Sequence, residues 1–315
     1  MEQQNYLALV FPGQGSQSVG MLSKLAADYP EVKETFAQAS QALGFDLWQL
    51  VDNGPEDQLN LTLNTQPAML AAGVATYRVW RKQGGVLPGW MAGHSLGEYT
   101  ALVCAEALTF EDAIKLVRER ARLMQDAVPA GQGAMAAILG LTDAQVVAVC
   151  NQVSTEDSGV SPANFNAPGQ VVIAGHSAAV NQAIDAAKQA GAKRAIALSV
   201  SVPSHCPLME SAAEKLLELL EQTPLQMPSI PVLHNVDVET HAAPEVIRNV
   251  LAQQLSKPVR WAASVKFMHE QGVSLFLECG PGKVLTGLNK RIASDARSHC
   301  FFDADSLAQA LEMVK

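Results

Sequence analysis

The sequence predicts an α/β fold in which a mostly parallel sheet is interrupted by a small α+β insertion. Strand-like and helical segments alternate along most of the 315 residues. One middle stretch departs from this alternation and has an order of its own. Hydrophobic residues make up 48% and charged residues 17% of the chain, which suits a large buried core.

The first strand is predicted at residues 6–11, a short apolar run that ends at Pro12-Gly13 and leads into a glycine-rich loop. A second strand is expected at 89–92. Strands that alternate with helices pair in parallel and are covered by helices on both faces. Helical patterns occupy 18–27, 31–43, 67–83, 96–107 and 110–127.

The middle of the chain predicts a separate unit in the order β-α-β-β-α-β, which is that of a ferredoxin-like subdomain. We place this subdomain at 129–200, so the large domain is discontinuous and comprises 1–128 and 201–315. The predicted strands are 134–139, 161–166, 170–174 and 195–200, and the predicted helices are 143–153 and 178–190.

The α/β alternation resumes after residue 205 and completes the large domain. Two strands and four helices are expected in this part of the chain. The strands are 231–235 and 274–279, and the helices are 209–221, 244–255, 261–271 and 283–293.

Composition argues against several classes of protein. A net charge of −9 makes a nucleic-acid partner unexpected. The five cysteines are scattered and form no CxxC pair, so we expect neither a disulfide framework nor a metal site, and a reducing, cytoplasmic compartment. No apolar run approaches the roughly 20 residues of a membrane span, and we expect no membrane segment.

A candidate nucleophile lies in the segment Gly93-His94-Ser95-Leu96-Gly97, which matches the G-x-S-x-G pattern between a predicted strand and a predicted helix. A serine on so sharp a turn needs small neighbours, and the two glycines supply them. The turn would expose the Ser95 hydroxyl and direct the Leu96 N–H from a helix start, where it can stabilise an oxyanion. This pattern favours acyl transfer through serine.

A serine nucleophile needs a base, and His205 is the best candidate among seven histidines. It lies where the chain returns to the large domain, although a lone loop histidine is more often structural. His94 adjoins Ser95, but its side chain should point elsewhere on the turn. Cys206 could act as a thiol nucleophile, yet a cysteine there is more often a small buried apolar residue.

Taken together, the motifs resemble those of the bacterial malonyl-CoA:acyl carrier protein transacylases. The resemblance implies an α/β-hydrolase-like domain with a ferredoxin-like insertion, in agreement with the pattern above. It implies transfer of a malonyl group from coenzyme A to a carrier protein in fatty acid synthesis, with no cofactor. The matching segments are 11–17, 93–98, 120–124, 164–166 with 168–170, 202–205, 254–255 with 258–259, and 280–283.

The resemblance also implies roles for individual residues. It makes Ser95 the nucleophile and His205 its base, with the backbone N–H groups of Gln14 and Leu96 as the oxyanion hole. It implies that Arg120 binds the malonyl carboxylate, which a planar guanidinium can hold through two parallel hydrogen bonds. Without the resemblance, the charged run at 118–122 would indicate a solvated helix face.

Four further residues are implied less directly. Gln254 would orient His205 or the acyl group, and Met124 would line the acyl pocket. Asn164 and Asn166 would contact the pantetheine arm. The family uses a Ser–His pair whose imidazole is oriented by backbone carbonyls, so we expect no aspartate partner. The aspartates between serine and histidine in the chain are Asp112, Asp126, Asp143, Asp157 and Asp185.

Alternative functions remain open at this point. A serine hydrolase or thioesterase shares the nucleophile turn, and an acyl-CoA-binding protein without chemistry could share the fold. The motifs also do not separate fatty acid synthesis from polyketide synthesis or malonate decarboxylation. Lys283, Lys290 and Arg291 form a candidate docking patch for the carrier protein, although charge runs are usually solvated helix faces.

Overall fold

A computed structural model describes residues 3–200 and 202–315. Within these residues the chain forms two sheets and the helices that cover them. The strands are β1 (Gln3–Phe11), β2 (Leu87–Gly93), β3 (Gly133–Leu139), β4 (Val160–Ala167), β5 (Gln170–His176), β6 (Arg194–Ala197), β7 (Val232–Leu233), β8 (Leu275–Cys279) and β9 (Arg297–Phe301). The helices are α1 (Ser23–Asp28), α2 (Pro30–Leu43), α3 (Leu47–Asn53), α4 (Glu56–Leu59), α5 (Thr62–Lys82), α6 (Gly97–Cys104), α7 (Phe110–Ala127), α8 (Asp143–Val153), α9 (Ser177–Gln189), α10 (Glu210–Gln222), α11 (Pro244–Gln253), α12 (Trp261–Glu270), α13 (Val284–Ile292) and α14 (Ala304–Met313).

The larger sheet has the order β7-β2-β1-β8-β9, and every neighbouring pair is parallel. Its central strand β1 is fully buried over residues 7–11. Alternate side chains of this strand enter different cores: Leu7 and Leu9 pack into one hydrophobic cluster, and Ala8 and Val10 pack into another. Helices therefore cover both faces of the sheet, as a buried parallel sheet requires.

The smaller sheet is antiparallel and has the order β4-β5-β3-β6. This order, with α8 and α9 as the two helices between the strands, is that of a ferredoxin-like unit. The predicted fold class, a mostly parallel α/β domain with a ferredoxin-like insertion, is therefore confirmed. The boundaries 129 and 200 remain a prediction; the strands of this sheet span 133–197.

The insertion is joined to the large domain by hydrogen bonds of Val259 and Arg291. The Phe165 N–H donates to the Val259 carbonyl at 2.9 Å, and the Val259 N–H donates to the Ala163 carbonyl at 2.8 Å. Arg291 donates to the carbonyl of Pro168 at 2.8 Å and to the side chain of Gln170. Arg291, one of the three residues of the candidate docking patch, therefore holds the insertion against the large domain.

Several predicted boundaries were wrong. Helix α5 begins at Thr62 instead of residue 67, because Pro67 lies inside the helix and does not start it. The last strand of the insertion ends at Ala197, short of residue 200. Two short helices, α3 and α4, and the last strand and helix, β9 and α14, were not predicted.

The two C-terminal elements that were not predicted, β9 and α14, differ in the sequence signals they carry. Strand β9 carries Arg297 and is only partly buried, so it lacks the apolar run that marks a central strand. Helix α14 has a capping box formed by Asp303 and Ser306, a usable start signal.

None of the helices in the described residues is long and apolar enough to cross a membrane.

Candidate active site

Ser95 lies on the sharp turn between β2 and α6, in the left-handed region with φ 51°. The flanking glycines are required by space. A Cβ at Gly93 would lie 1.8 Å from the carbonyl carbon of Gly97, and a Cβ at Gly97 would lie 2.1 Å from the Phe11 carbonyl oxygen. These contacts are far shorter than any van der Waals distance. Glycine at both positions therefore allows a strand, a turn and a helix to meet around one strained serine.

The Ser95 hydroxyl oxygen lies 2.8 Å from Nε2 of His205. On the other side of the ring, Nδ1 lies 2.6 Å from the backbone carbonyl of Gln254. A carbonyl oxygen can only accept, so Nδ1 carries the proton and Nε2 is free to accept from the serine. The His205 backbone, itself at φ 64°, is held by its N–H donating to the Leu255 carbonyl at 2.8 Å.

The imidazole is oriented by this backbone carbonyl and not by a carboxylate. The five aspartates considered above lie on α7, α8 and α9 and in the loop after α8. Asp112 interacts with the side chain of Thr109, Asp126 pairs with Arg122, and Asp185 pairs with Lys188. The arrangement is a serine–histidine pair completed by the peptide group of Gln254.

The pKa of His205 is lowered to about 3, first by burial and then by the positive charge of Arg120. The Gln254 carbonyl favours the protonated ring and opposes these two effects. Because the lowered pKa lies far below neutrality, the imidazole is neutral and able to accept a proton from Ser95.

Arg120 projects from α7 into the same site, and its side chain is only 1% exposed. One terminal nitrogen donates to Oε1 of Gln66 at 2.8 Å. The other donates to Oε1 of Gln254 at 2.9 Å and to the Ser95 oxygen at 3.2 Å. All three groups that accept from Arg120 in the described residues, 3–200 and 202–315, are uncharged. Burial lowers the pKa of Arg120, as expected for a cation without a carboxylate partner.

The neighbouring charges of the 118–122 run differ from Arg120. Arg122 is half-exposed and forms ion pairs with Glu119 and Asp126 on the helix surface. The interpretation as a solvated face is therefore right for Arg122 and wrong for Arg120. A buried guanidinium next to a serine nucleophile can recognise an anionic group on the acyl chain.

Gln254 and Asn235 connect the elements around the serine. The Gln254 amide donates to the Ser95 carbonyl at 3.1 Å and to the carboxylate of Glu98 at 2.8 Å. Asn235 accepts from the Ser95 N–H at 2.7 Å and donates to the Gly93 carbonyl at 2.7 Å. The first part of the strained turn, from Gly93 to Ser95, is thus held by one side chain from the loop after β7.

Three residues of this network were not predicted: Gln66, Glu98 and Asn235. Glu98 ends the segment 93–98 that carried the resemblance, so its position was visible although its role was not. Asn235 follows a two-residue strand, and only the topology shows that this strand lies beside β2. Ligand-binding groups gather at the carboxyl ends of parallel strands, which gives a signal once the strand order is known.

The loop after β1 lies against the serine turn. A Cβ at Gly13 would lie 2.4 Å from the His94 carbonyl oxygen, so only glycine permits this approach. The next residue, Gln14, is exposed and its amide donates to the Thr62 hydroxyl at 3.1 Å. Leu96 is the N-cap of α6, where the helix dipole places partial positive charge. Both backbones therefore adjoin the nucleophile turn, as an oxyanion hole would require.

Met124, Asn164 and Asn166 lie further from the reacting pair. The sulfur of Met124 accepts from the Gln66 amide at 3.6 Å, so Met124 packs behind Gln66. Asn166 Oδ1 lies 2.8 Å from Nε2 of His94, which attaches the insertion to the turn. Asn164 is buried on β4 and pairs with Val259 through the backbone.

Cys206 does not take part in this arrangement. Its thiol is buried and donates to the Pro203 carbonyl at 3.1 Å. Burial raises the pKa of Cys206 to about 12, so the thiolate needed for nucleophilic attack is not formed at neutral pH. The structure therefore favours serine over this cysteine as the nucleophile.

Comparison with known proteins gives the same result along nearly the whole chain. The family model described as an acyl transferase domain matches residues 8–299. The malonyl CoA-acyl carrier protein transacylase of Escherichia coli K12 is 55% identical over 97% of this chain and 99% of the relative. That of Haemophilus influenzae is 57% identical over 98% of each chain.

Solved structures match equally well. A malonyl transacylase in complex with a type II PKS acyl-carrier protein superimposes with a TM-score of 0.96 at 55% identity, over 98% of this chain and 99% of that one. The acyl carrier protein S-malonyltransferase of Vibrio cholerae gives a TM-score of 0.95 at 53% identity, over 98% of this chain and 100% of that one.

Proposed function

The chain belongs to the acyl transferase domain family and, within it, to the malonyl CoA-acyl carrier protein transacylases, and from this premise we propose that it moves a malonyl group from coenzyme A to the phosphopantetheine thiol of an acyl carrier protein through an ester on Ser95. The observation that carries the proposal is the buried guanidinium of Arg120, 3.2 Å from the Ser95 oxygen. A cation there matches the carboxylate that distinguishes malonyl from acetyl. A serine hydrolase shares the Ser95–His205 pair but has no need of this cation.

In the first half of the reaction, His205 Nε2 takes the hydroxyl proton of Ser95 as the oxygen attacks the thioester carbonyl. The negative oxygen that develops is stabilised by the N–H groups of Leu96 and Gln14. Collapse of this intermediate breaks the carbon–sulfur bond and leaves the malonyl ester. The leaving thiolate takes the proton from the His205 imidazolium. The carrier protein's thiol then reverses these steps, which gives ping-pong kinetics.

Arg120 has a second effect, on the strength of the base. Its positive charge contributes to the low pKa of His205. When the malonyl carboxylate pairs with Arg120, that charge is neutralised and His205 becomes a stronger base. The substrate that carries the correct anionic group thereby improves the group that deprotonates Ser95. Specificity and base strength are linked through one guanidinium.

The remaining predicted residues have supporting roles in this proposal. The Gln254 carbonyl holds the imidazole in its reactive tautomer, and its amide holds Arg120. Met124 lines the acyl pocket behind Gln66, and Asn164 and Asn166 face the pantetheine arm from the insertion. The reaction as proposed uses no cofactor, because His205 moves the proton of Ser95 and the backbone N–H groups of Leu96 and Gln14 stabilise the negative oxygen.

The setting we propose is fatty acid synthesis in the cytoplasm. All five cysteines are free, which agrees with a reducing compartment. The product of the reaction, a malonyl group on a carrier protein, is a two-carbon donor for chain elongation once it loses carbon dioxide.

Mixing the protein with malonyl-CoA alone tests the proposal. We expect the mass of the peptide that contains Ser95 to increase by one malonyl group, and the ester to persist until a phosphopantetheinylated carrier protein is added. Carrier protein lacking the phosphopantetheine arm is the control and should leave the ester in place. A hydrolase would instead release free malonate without a thiol, and that result would contradict the proposal.

The low pKa of His205 predicts an unusual pH profile for Ser95 acylation. The rate should show no inflection near 6.5, the ordinary value for histidine, because the pKa in the folded protein is about 3. Release of coenzyme A in the first turnover, at malonyl-CoA concentrations low enough to report the free protein, measures this between about pH 7 and about pH 5. In Arg120→Ala the inflection should move to higher pH, since one cause of the low value is removed.

The same shift affects stability in acid. In the unfolded chain His205 takes a proton near 6.5, and in the folded protein only near 3. Between these values the unfolded state binds more protons, so the free energy of unfolding decreases as the pH falls through this window.

A sharp loss of acylation near pH 6.5 in the fully folded parent would contradict the lowered pKa of His205.

A further inference from the structure

Glu98 is a buried carboxylate next to the nucleophile turn that the proposed mechanism does not use. It lies in the first turn of α6, and its side chain is 1% exposed. Its oxygens accept from the Gln254 amide at 2.8 Å, from the Asn235 N–H at 3.0 Å and from His234 Nδ1 at 2.7 Å. Burying a charge is costly unless such partners compensate for it. Three donors fix this carboxylate in one place.

The partner that reaches the reacting groups is Gln254. Its amide nitrogen donates to Glu98 and its amide oxygen accepts from Arg120 at 2.9 Å. If this amide were reversed, its oxygen would face a carboxylate and its NH₂ group would face a guanidinium. Both contacts would then be repulsive. The contact with Glu98 therefore favours the orientation in which the Gln254 amide oxygen points to Arg120, and the Ser95 carbonyl, which accepts from the same NH₂ group at 3.1 Å, favours it too.

Glu98 also supplies a compensating charge. The acceptors of Arg120 described above are neutral, and the guanidinium is buried. The Tyr99 side chain first, and then the negative charge of Glu98, raise the pKa of Arg120 and oppose the effect of burial. The Glu98 carboxylate and the Arg120 guanidinium therefore lie at opposite ends of the Gln254 amide dipole. These opposite charges favour the arrangement before any substrate binds.

We propose that Glu98 is a positioning residue for acyl-group specificity: through the Gln254 amide it holds Arg120 in the pose that receives the substrate carboxylate. This inference rests on the proposed function, because it needs a carboxylate on the acyl group. Glu98 touches neither Ser95 Oγ nor the His205 ring, so its effect on the chemistry is indirect.

Glu98→Gln tests the inference, because it keeps the size of the side chain and removes its charge. The kcat/KM for malonyl-CoA should fall about tenfold or more, as expected for losing hydrogen bonds to a charged group. Transfer from acetyl-CoA, which has no carboxylate, should change by less than about threefold. The control is Glu119→Gln, on the exposed face of α7, which should leave both rates unchanged. Equal losses for the two substrates would overturn the inference, since a structural role lowers both.

A double variant shows whether the effect passes through Arg120. In an Arg120→Ala background, Glu98→Gln should not change the malonyl-to-acetyl ratio further, and additive effects would overturn the inference. If Glu98→Gln fails to fold, Gln254→Met interrupts the same bridge and should lower the ratio in the same way. A parent that forms no malonyl ester overturns the proposed function and this inference with it. An active parent whose Glu98→Gln and Gln254→Met variants both keep the parent's ratio overturns the inference alone.

Discussion

Replacing Ser95 with alanine should reduce malonyl transfer on the order of 10⁴-fold or more, because its hydroxyl is the group that carries the acyl chain in the proposed mechanism. The hydroxyl oxygen is the atom that His205 and Arg120 both contact, at 2.8 and 3.2 Å. Without it the two half-reactions cannot be separated, and transfer would need both thiols in the site together. The measurement is carrier-protein malonylation with malonyl-CoA as donor.

The controls separate chemistry from folding. Ser211 lies on the exposed part of α10, so Ser211→Ala should transfer malonyl at the parental rate. The Ser95→Ala protein should keep its thermal unfolding temperature or gain a little, because alanine removes one polar atom from a partly buried site. A Ser95→Ala variant that still accumulates a covalent malonyl adduct would show that another side chain is the nucleophile.

The fold could be predicted from the sequence where apolar runs and helical periodicity are strong. The central strand β1, the nucleophile turn and the order of the insertion all have such patterns. The sequence was least informative at the edges. Strand β9 is partly exposed and produces no run of buried residues that could be detected, and strand β7, predicted at 231–235, has only two residues. Helix α5 was shortened because a proline within a helix resembles a helix start.

The residues of the candidate site also differ in how far the sequence could predict them. Ser95 could be proposed from a local pattern, since strand, turn and helix are consecutive in the chain. Arg120 and Gln254 are far from it in sequence and were identified only through family resemblance, whereas the position of His205 in the chain made it a candidate that the resemblance then supported. Their contacts depend on three-dimensional packing that no local pattern records. Asn235 shows the limit most clearly: its partner is the Ser95 N–H, 140 positions earlier.

Charge patterns were the least reliable guide. In the run 118–122, one helix carries a partly buried, a buried and an exposed arginine, and composition does not distinguish them. The same difficulty applies to the candidate docking patch, where Arg291 is engaged with the insertion. A charged residue acquires its role from what surrounds it after folding, and a buried cation without a carboxylate is visible only in the structure.

Arg120→Ala should therefore have the second largest effect, and a selective one. The kcat/KM for malonyl-CoA should fall roughly 10²- to 10⁴-fold, the cost of leaving one member of a buried charge pair alone. Transfer from acetyl-CoA should change by less than about tenfold, because that substrate never pairs with the guanidinium. Measured together, the two constants give the specificity ratio directly. Arg122→Ala is the matched control, two residues along α7 and half-exposed, and should alter neither.

Whether Arg120→Ala loses malonyl transfer more than acetyl transfer decides if Arg120 recognises the carboxylate. Arg120 contacts Gln66, Gln254 and the Ser95 oxygen, so removing it could also loosen the site in general. General loosening would lower transfer of malonyl and acetyl by the same factor. Arg120→Lys adds a second test, because lysine keeps the charge but cannot make two parallel hydrogen bonds to a carboxylate. It should recover part of the malonyl rate, and a lysine variant no better than alanine would show that geometry outweighs charge in recognising the carboxylate.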